Sequence, residues 1–295
     1  MAYRRRETAL GRWLLAGLVV ILLFLFLFKS PLEKQFLSDQ SKQKTTEQVT
    51  TAQLVNQMKK LTDDQNGTYA IYVYDLTSKN SFGINEKTVV IAASVAKIPI
   101  VAALYSLADQ DKVDLDEMIT IQPEDLQEGT GVVQLGQTYS VKTLARLMME
   151  KSDNTAAHVL AVHIGIDTVQ ELVNKWGLEQ TSMAENKTSP HDMVLLLAKM
   201  YRGEVAKKAL TGEMLGFMND SDFEDRLPAL LPKEVKIYHK IGTETNALHD
   251  VGIVDLPDRP YIIGIFTHGI SDEQKTVSTI ARLSRLVFDY QKSLY

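Results

Sequence analysis

The sequence contains no cysteine among its 295 residues. Disulfide bonds, thiolate metal sites and a lipid-modified cysteine anchor are therefore excluded, although this absence does not fix the compartment. An excess of positive charge is also missing, because 32 Lys and Arg are outweighed by 37 Asp and Glu, giving a net charge of −5. No stripe of basic residues with interleaved aromatics occurs, which argues against nucleic acid as a partner.

The six histidines show no spacing typical of a metal site. His158 and His163 are five residues apart, whereas the H-E-x-x-H pattern places its two histidines four apart on one helical face. His239 and His249 are interpreted as core or surface residues, with a place in a cleft as the alternative. We therefore expect no metal and no other cofactor.

Long hydrophobic runs are scarce, and the clearest one lies at the N-terminus. Residues 13–28 form 16 consecutive largely apolar positions, and no small-x-small cleavage signature follows them. Flanking arginines predict that residues 1–12 remain in the cytoplasm and that the apolar run is a membrane-spanning signal anchor. The alternatives are a cleaved signal peptide and a buried core helix. The arginines are Arg4, Arg5, Arg6 and Arg12.

The anchor is followed by two segments of different character. Residues 29–48 are rich in Lys, Gln, Ser and Thr and are predicted to form a flexible tether. Residues 49–295 have ordinary globular composition and are predicted to be a single folded domain on the outer side of the cell membrane.

Periodicity places strands at both ends of this domain and helices between them. Strand-type alternation occurs at 68–76, around 81–83, and at 235–242, 247–257 and 261–269. Helical spacing occurs at 49–62, 98–110, 141–152, 154–165, 166–177, 190–203 and about 273–292. We predict an α/β protein of the α+β type. One antiparallel sheet is assembled from both chain ends and flanked by helices, and an all-helical subdomain is inserted at about residues 94–225.

Three short motifs stand in order along the chain. They are Ser94-Val95-Ala96-Lys97, Ser152-Asp153-Asn154, and Lys240-Ile241-Gly242-Thr243. Each motif is weak by itself, but S-x-x-K, S-D-N and a variant of K-T-G in this order form a specific signature.

The first motif suits nucleophilic catalysis. Ser94 and Lys97 are three residues apart at the predicted start of a helix, so their side chains lie on one face. A desolvated lysine near a second cation, for which Lys240 is the candidate, can be neutral enough to activate a serine. The alternative is a helix-capping serine beside a solvated lysine.

The second and third motifs supply polar groups at plausible positions. Ser152 could relay a proton to a leaving group and Asn154 could bind a substrate amide; a helix N-cap is the alternative, and both can hold together. Gly242, just after a strand, would let a substrate backbone approach closely.

Residues 49–295 resemble the class A β-lactamases, members of the penicillin-recognising serine enzymes. The resemblance includes GTGVVQ at 129–134, SDNTAA at 152–157, TSP at 188–190, and the strand pair between Lys240 and Gly269. It implies a serine hydrolase acting on β-lactams or on the D-Ala-D-Ala ends of cell-wall peptides.

The resemblance also assigns roles. Ser94 is the residue acylated, Lys97 the general base and Ser152 the proton shuttle, while Asn154 and Lys240 hold substrate. The backbone N–H groups of Ser94 and Thr243 would form the oxyanion hole.

One departure concerns the third motif, where Ile241 stands in place of a hydroxyl residue expected to bind the substrate carboxylate. Thr243 can partly replace it. Arg226 is a candidate second partner for that carboxylate, and a surface arginine beside Asp225 is the alternative.

A second departure concerns turnover. Class A enzymes hydrolyse the acyl-enzyme with a glutamate on the omega loop, but residues 177–190 read GLEQTSMAENKTSP, too short for that loop and without its Arg-x-x-Glu pattern. Only Glu179 and Glu185 could substitute. Glu185 is the better candidate, and a solvated surface glutamate is the alternative. Slow deacylation is therefore expected.

Two further interpretations remain open at this point. One is a catalytically weak module that binds or senses cell-wall material or an antibiotic. The other is a penicillin-binding protein of the D,D-carboxypeptidase kind.

Overall fold

The computed structural model of the protein describes residues 49–219 and 221–294. The predicted membrane anchor at 1–28 and the tether at 29–48 lie outside the described residues. Within the described ranges, no helix combines the length and the apolar character needed to cross a membrane.

Helices and strands follow the order expected from the sequence pattern. The helices are α1 (Thr51–Asp63), α2 (Lys97–Ala108), α3 (Val141–Glu150), α4 (Asn154–Ile164), α5 (Ile166–Lys175), α6 (Pro190–Tyr201), α7 (Lys208–Asn219) and α8 (Glu273–Ser293). The strands are β1 (Thr68–Asp75), β2 (Ser81–Ile84), β3 (Val90–Ile91), β4 (Met118–Thr120), β5 (Thr138–Ser140), β6 (Lys187–Thr188), β7 (Lys236–Glu244), β8 (Ala247–Asp255) and β9 (Tyr261–His268).

Both chain ends build one five-stranded sheet. Its order is β2-β1-β9-β8-β7, and every neighbouring pair is antiparallel. Strand β7 is therefore an edge strand, with one side open toward the helical part. The predicted α+β fold, an antiparallel sheet from both chain ends with helices between, is confirmed.

Two hydrophobic cores lie on the two faces of the sheet, because side chains alternate along each strand. One face packs against α1 and α8 through residues such as Leu54, Ile71 and Leu283. The other face packs against the helical part, where α2 is buried over nearly its whole length. On this second face Val194 of α6 lies against Gly264 of β9. A Cβ added at Gly264 would lie 3.2 Å from Val194 Cγ2.

Polar residues at helix starts set the helix boundaries near the site. Ser140 accepts from Thr143 N at the start of α3, and Asp153 accepts from Ala156 N at the start of α4. Ser189 does the same for Asp192 N at α6, where Pro190 takes the first helical position. Each cap satisfies a backbone N–H that the helix itself leaves unpaired.

Some elements differ from the sequence prediction. Helix α7 is absent from that prediction, because Gly212 and Gly216 weaken its helical signal. Two small two-stranded sheets, β3–β6 and β4–β5, are likewise absent from it, since strands of two or three residues carry no usable alternation.

Candidate active site

Ser94 lies at the end of an extended segment that turns into a helix. Strand β3 ends at Ile91, a 3-10 turn covers Ala93–Ala96, and α2 begins at Lys97. Ser94 therefore precedes the α-helix by one tight turn rather than opening it as predicted. Ala93 adopts φ 48°, a left-handed conformation that strains a residue with a Cβ.

Lys97 connects the first two motifs. Its Nζ lies 3.0 Å from Ser94 Oγ, 2.7 Å from the Ser152 carbonyl oxygen and 2.7 Å from Asn154 Oδ1. The side chain is buried, and burial lowers the pKa of Lys97 to about 8 although the Asp153 carboxylate opposes this.

These contacts suit Lys97 as a base. The Ser152 carbonyl and Asn154 Oδ1 can only accept hydrogen bonds, so they take two N–H groups of the amine. A neutral amine then has one lone pair left, and Ser94 Oγ is the neighbour at 3.0 Å that has a proton to give.

Lys240 reaches the same place from β7. Its Nζ lies 3.0 Å from Ser152 Oγ, and Lys97 Nζ lies 3.2 Å from that oxygen. Burial and the neighbouring Lys97 charge lower the pKa of Lys240 to about 7. The Phe223 ring, with its centroid 5.9 Å from Lys240 Nζ, covers this amine.

Asp153 holds the loop that precedes α3 against the site. Its Oδ2 accepts from Thr130 Oγ1 at 3.0 Å, Val132 N at 3.0 Å and Val133 N at 3.2 Å. The central residue of S-D-N is thus both a helix cap and an anchor for the 130–133 loop, so the helix-cap interpretation of the motif holds for Asp153.

Asn154 is exposed and lies beside Lys97. Its Oδ1 accepts from Lys97, and its Nδ2 donates to the Glu128 carbonyl at 2.6 Å. Gly129, at φ 151°, is needed for this approach, because a Cβ there would lie 2.8 Å from Asn154 Nδ2.

Gly242 has a packing role that the sequence pattern did not indicate. A Cβ at this position would lie 2.8 Å from the Ala92 carbonyl oxygen and 3.1 Å from both Val95 Cγ2 and His249 Cδ2. The glycine lets β7 pack tightly against the segment that carries Ser94. Room for substrate is therefore not its only use.

His249 fixes the same segment from β8. Its Nδ1 accepts from Thr267 N at 3.2 Å, so Nε2 carries the proton and donates to the Ile91 carbonyl at 2.8 Å. Burial lowers the pKa of His249 to about 4, which keeps this tautomer neutral. The histidine is a buried structural residue and does not line the cleft.

Arg226 is buried and not the surface arginine of the alternative. Its Nη1 donates to the carbonyls of Gly242 at 2.8 Å and His249 at 2.7 Å, and its Nη2 donates to Thr243 Oγ1 at 2.7 Å. Because guanidinium only donates, Thr243 Oγ1 acts as acceptor and its own proton is free for another partner. Arg226 thus lies behind the exposed Thr243 hydroxyl, and a direct contact between Arg226 and a substrate carboxylate stays a prediction.

The backbone of Thr243 points to the open edge of the sheet. Its cross-strand partner Leu248 exchanges hydrogen bonds with Thr267 Oγ1 of β9, at 3.0 Å and 2.9 Å. In an antiparallel pair, two directly opposite residues either hydrogen-bond to each other or both point their N–H and C=O groups away from each other. Because Leu248 points its groups toward β9, Thr243 points its own groups away from β8. The Thr243 N–H therefore faces the cleft side of β7, where an oxyanion hole requires it.

The short loop after α5 does not place a carboxylate on the nucleophile. Glu185 is exposed and its Oε2 lies 2.9 Å from Lys187 Nζ. The loop contacts the segment that carries Ser94 through its backbone, since Ala92 N donates to the Asn186 carbonyl at 2.7 Å. Among residues 49–219 and 221–294, the hydrogen-bond partners of Ser94 and Lys97 side chains include no carboxylate.

Three features together define a serine acyl-transfer site. They are a serine beside a buried lysine, a second serine shared by two lysines, and an edge strand whose amide points outward. Comparison with known proteins agrees. The model of the beta-lactamase enzyme family matches residues 53–291, so the chain belongs to that family.

Two characterised relatives show the distance within the family. Beta-lactamase VEB-1 of Pseudomonas aeruginosa is 25% identical over 254 residues, which cover 75% of this chain and 85% of the relative. Beta-lactamase SME-1 of Serratia marcescens is 22% identical over 253 residues, which cover 78% of this chain and 86% of the relative.

Solved structures give the same fold. PBP-A aligns with a TM-score of 0.77 and 28% identity over 82% of this chain and 97% of its own. A reconstructed ancestral class A β-lactamase variant aligns with a TM-score of 0.77 and 23% identity, over 82% of this chain and 99% of its own, which shows the fold alone. The protein is a serine hydrolase of the β-lactamase and penicillin-binding protein type, and a purely non-catalytic module is not favoured.

Proposed function

We propose that Ser94 is acylated by β-lactams and by the D-Ala-D-Ala ends of cell-wall peptides, and that the acyl-enzyme is released slowly. The observation that carries the proposal is the 3.0 Å contact between the Ser94 hydroxyl and the buried, low-pKa amine of Lys97. PBP-A provides a supporting comparison, because a single-residue mutant of it has been solved as an acyl-enzyme with penicillin G, at 27% identity to this chain.

Acylation uses the groups in sequence. Neutral Lys97 takes the Ser94 proton while Ser94 Oγ bonds to the substrate carbonyl carbon. The resulting oxyanion faces the N–H groups of Ser94 and Thr243. When the carbonyl–nitrogen bond breaks, the leaving nitrogen takes a proton from Ser152 Oγ, which Lys97 or Lys240 reprotonates. The product is an ester on Ser94.

Substrate recognition divides between the two sides of the cleft. The exposed Asn154 amide is offered to the substrate amide, while Lys240 and the Thr243 hydroxyl are offered to its carboxylate. Arg226 supports this second contact, because its bond to Thr243 Oγ1 turns the hydroxyl proton outward. Thr243 thereby replaces the hydroxyl that Ile241 lacks.

Deacylation lacks the positioned general base that class A enzymes use. A positioned general base is worth about 10²–10⁴-fold in rate, and the better candidate on the short loop, Glu185, is exposed and paired with Lys187. Hydrolysis of the ester is therefore slow, and the protein behaves as a penicillin-binding protein with the architecture of a β-lactamase.

Labelling with a fluorescent penicillin tests the acylation step. The wild-type protein gains one covalent label that survives denaturation, and Ser94→Ala gains none. Ser106→Ala, in the last turn of α2, is a matched control that keeps labelling. Equal labelling of Ser94→Ala and wild type refutes the assignment of the nucleophile.

The proposed setting is the outer face of the cell membrane. The arginine-flanked apolar run at 13–28 supports an uncleaved anchor that holds residues 49–295 near the cell wall. Sequencing the N-terminus of the mature protein tests this. A start at Met1 or Ala2 is expected, whereas a start within 30–42 indicates cleavage.

A further inference from the structure

A second polar cluster lies behind the substrate-carboxylate side of the site, on the face of β7 and β8 that packs toward α8. It consists of His239 and Asp250, which are both buried and belong to none of the three motifs. His239 Nδ1 lies 2.9 Å from Asp250 Oδ1 and 3.1 Å from Oδ2. Because the carboxylate only accepts, Nδ1 carries the proton and donates.

The pair is charged at neutral pH. Burial opposes the charged form of the imidazole, but the adjacent Asp250 carboxylate outweighs it and raises the pKa of His239 to about 9. Burying two charges costs desolvation free energy, and an apolar pair of similar size is often at least as stable, so the pair indicates a role other than stability. Their location indicates what they hold.

Both members of the pair reach one segment of chain, residues 224–227. Asp250 Oδ2 accepts from Leu227 N at 3.0 Å. His239 Nε2 lies 3.5 Å from Glu224 Oε1, within ion-pair distance, and has no hydrogen-bond partner among the described atoms. Asp250 therefore bonds one end of the segment directly, and the imidazolium attracts the carboxylate at the other end.

Arg226 lies inside this segment, and Phe223 immediately precedes it. Arg226 places its guanidinium on the Gly242 and His249 carbonyls and on Thr243 Oγ1. These contacts require the backbone at 226 to stay where it is, because a guanidinium fork has fixed geometry.

We propose that Asp250 and His239 are positioning residues for recognition of the substrate carboxylate, acting through Arg226 and Thr243. The inference rests on the proposed function, since it assumes that a carboxylate is read at Thr243. If Asp250 loses its charge, the 224–227 segment loosens and the Thr243 hydroxyl is no longer oriented outward. Lys97 and Ser94 stay in place, because neither contacts this cluster.

The test compares two substrates that differ only in the carboxylate. The second-order acylation rate constant is measured for benzylpenicillin and for its methyl ester, in wild type and in Asp250→Asn. The ratio of acid to ester is expected to fall about tenfold in the variant, because a hydrogen bond that involves a charged group is lost. Asp255→Asn, the same substitution at the end of the same strand, is the matched control and keeps the wild-type ratio.

The outcomes separate this inference from the function it rests on. No adduct on the wild-type protein with either substrate refutes the proposed function. Normal acylation of wild type with an unchanged ratio in folded Asp250→Asn refutes only the role of the pair, and so does an equal fall for acid and ester. If Asp250→Asn does not fold, the same acid-to-ester ratio is measured in His239→Gln. Glutamine at this position can still donate to Asp250 but loses the contact with Glu224.

Discussion

Lys97 and Lys240 share one hydroxyl: their Nζ atoms lie 3.2 Å and 3.0 Å from Ser152 Oγ. Burial lowers the pKa of Lys97 to about 8, and burial together with the neighbouring Lys97 charge lowers the pKa of Lys240 to about 7. The arrangement supplies a neutral base beside Ser94 and a route for returning a proton through Ser152.

The pH dependence of acylation follows from these pKa values. Because the lowered pKa of Lys97 is about 8, its neutral, proton-accepting form accumulates between about pH 7 and pH 9, so the limiting acylation rate constant rises over that window and levels off above it. Stopped-flow measurement with a chromogenic cephalosporin between pH 5.5 and 9.5 checks this. Because the two lysines interact, the midpoint belongs to the pair. A rate that is flat across this range contradicts Lys97 as base.

Removing the base is expected to cost several orders of magnitude. Lys97→Ala leaves Ser94 without a proton acceptor, so acylation slows by at least about 10²–10⁴-fold. Lys142→Ala, on the exposed side of α3, removes a lysine with an ion pair to Glu213 and keeps the wild-type rate. Labelling of Lys97→Ala at the wild-type rate is incompatible with the mechanism.

Gly242 is predicted to tolerate no side chain. Gly242→Ala places a Cβ 2.8 Å from the Ala92 carbonyl, so β7 or the Ser94 segment has to shift, at about 1–3 kcal/mol of stability and with slower acylation. Gly216→Ala is the matched control, because nothing lies within 4 Å of its added Cβ and alanine favours the helix. Urea unfolding and acylation rates measure both. A Gly242→Ala protein as stable and reactive as wild type contradicts the packing argument.

Asp153 is predicted to be the more costly of two helix caps. Asp153→Ala removes the cap of α4 together with three acceptor contacts to the 130–133 loop, and it is expected to lose about 3 kcal/mol. Ser140→Ala removes the α3 cap and is expected to lose about 1 kcal/mol. The free energies of unfolding in urea compare the two, and equal losses show that the loop contacts contribute nothing.

The sequence locates the residues proposed to react because their spacing carries the information. Ser94 and Lys97 are three residues apart, and Ser152 and Lys240 are recognised by short motifs, so no long-range geometry is needed to find them. The structure brings these four side chains together.

The supporting residues depend on strand register, which the sequence does not reveal. His239 and Asp250 meet only because Ile241 pairs with Asp250 and His239 with Gly252 on one face of β7 and β8. Burial of Arg226 depends in the same way on which segment covers that face, so a surface position is an equally reasonable expectation from the sequence.

Local patterns also fail where two functions use one residue type. The sequence favours Gly242 as space for a substrate, but the nearest obstacle to a Cβ there is the Ala92 carbonyl. Helix α7 escapes the sequence pattern because its two glycines outweigh an apolar face that is recognisable only once α7 is packed.

The most direct test of the account is intact-mass spectrometry of the folded protein mixed with benzylpenicillin and followed over time. We predict rapid formation of one penicilloyl adduct per chain, located on Ser94 by peptide mapping, followed by release that is slow compared with its formation. Turnover of many molecules per second without accumulation of the adduct, abolished by Glu185→Gln, contradicts the account and identifies an efficient β-lactamase.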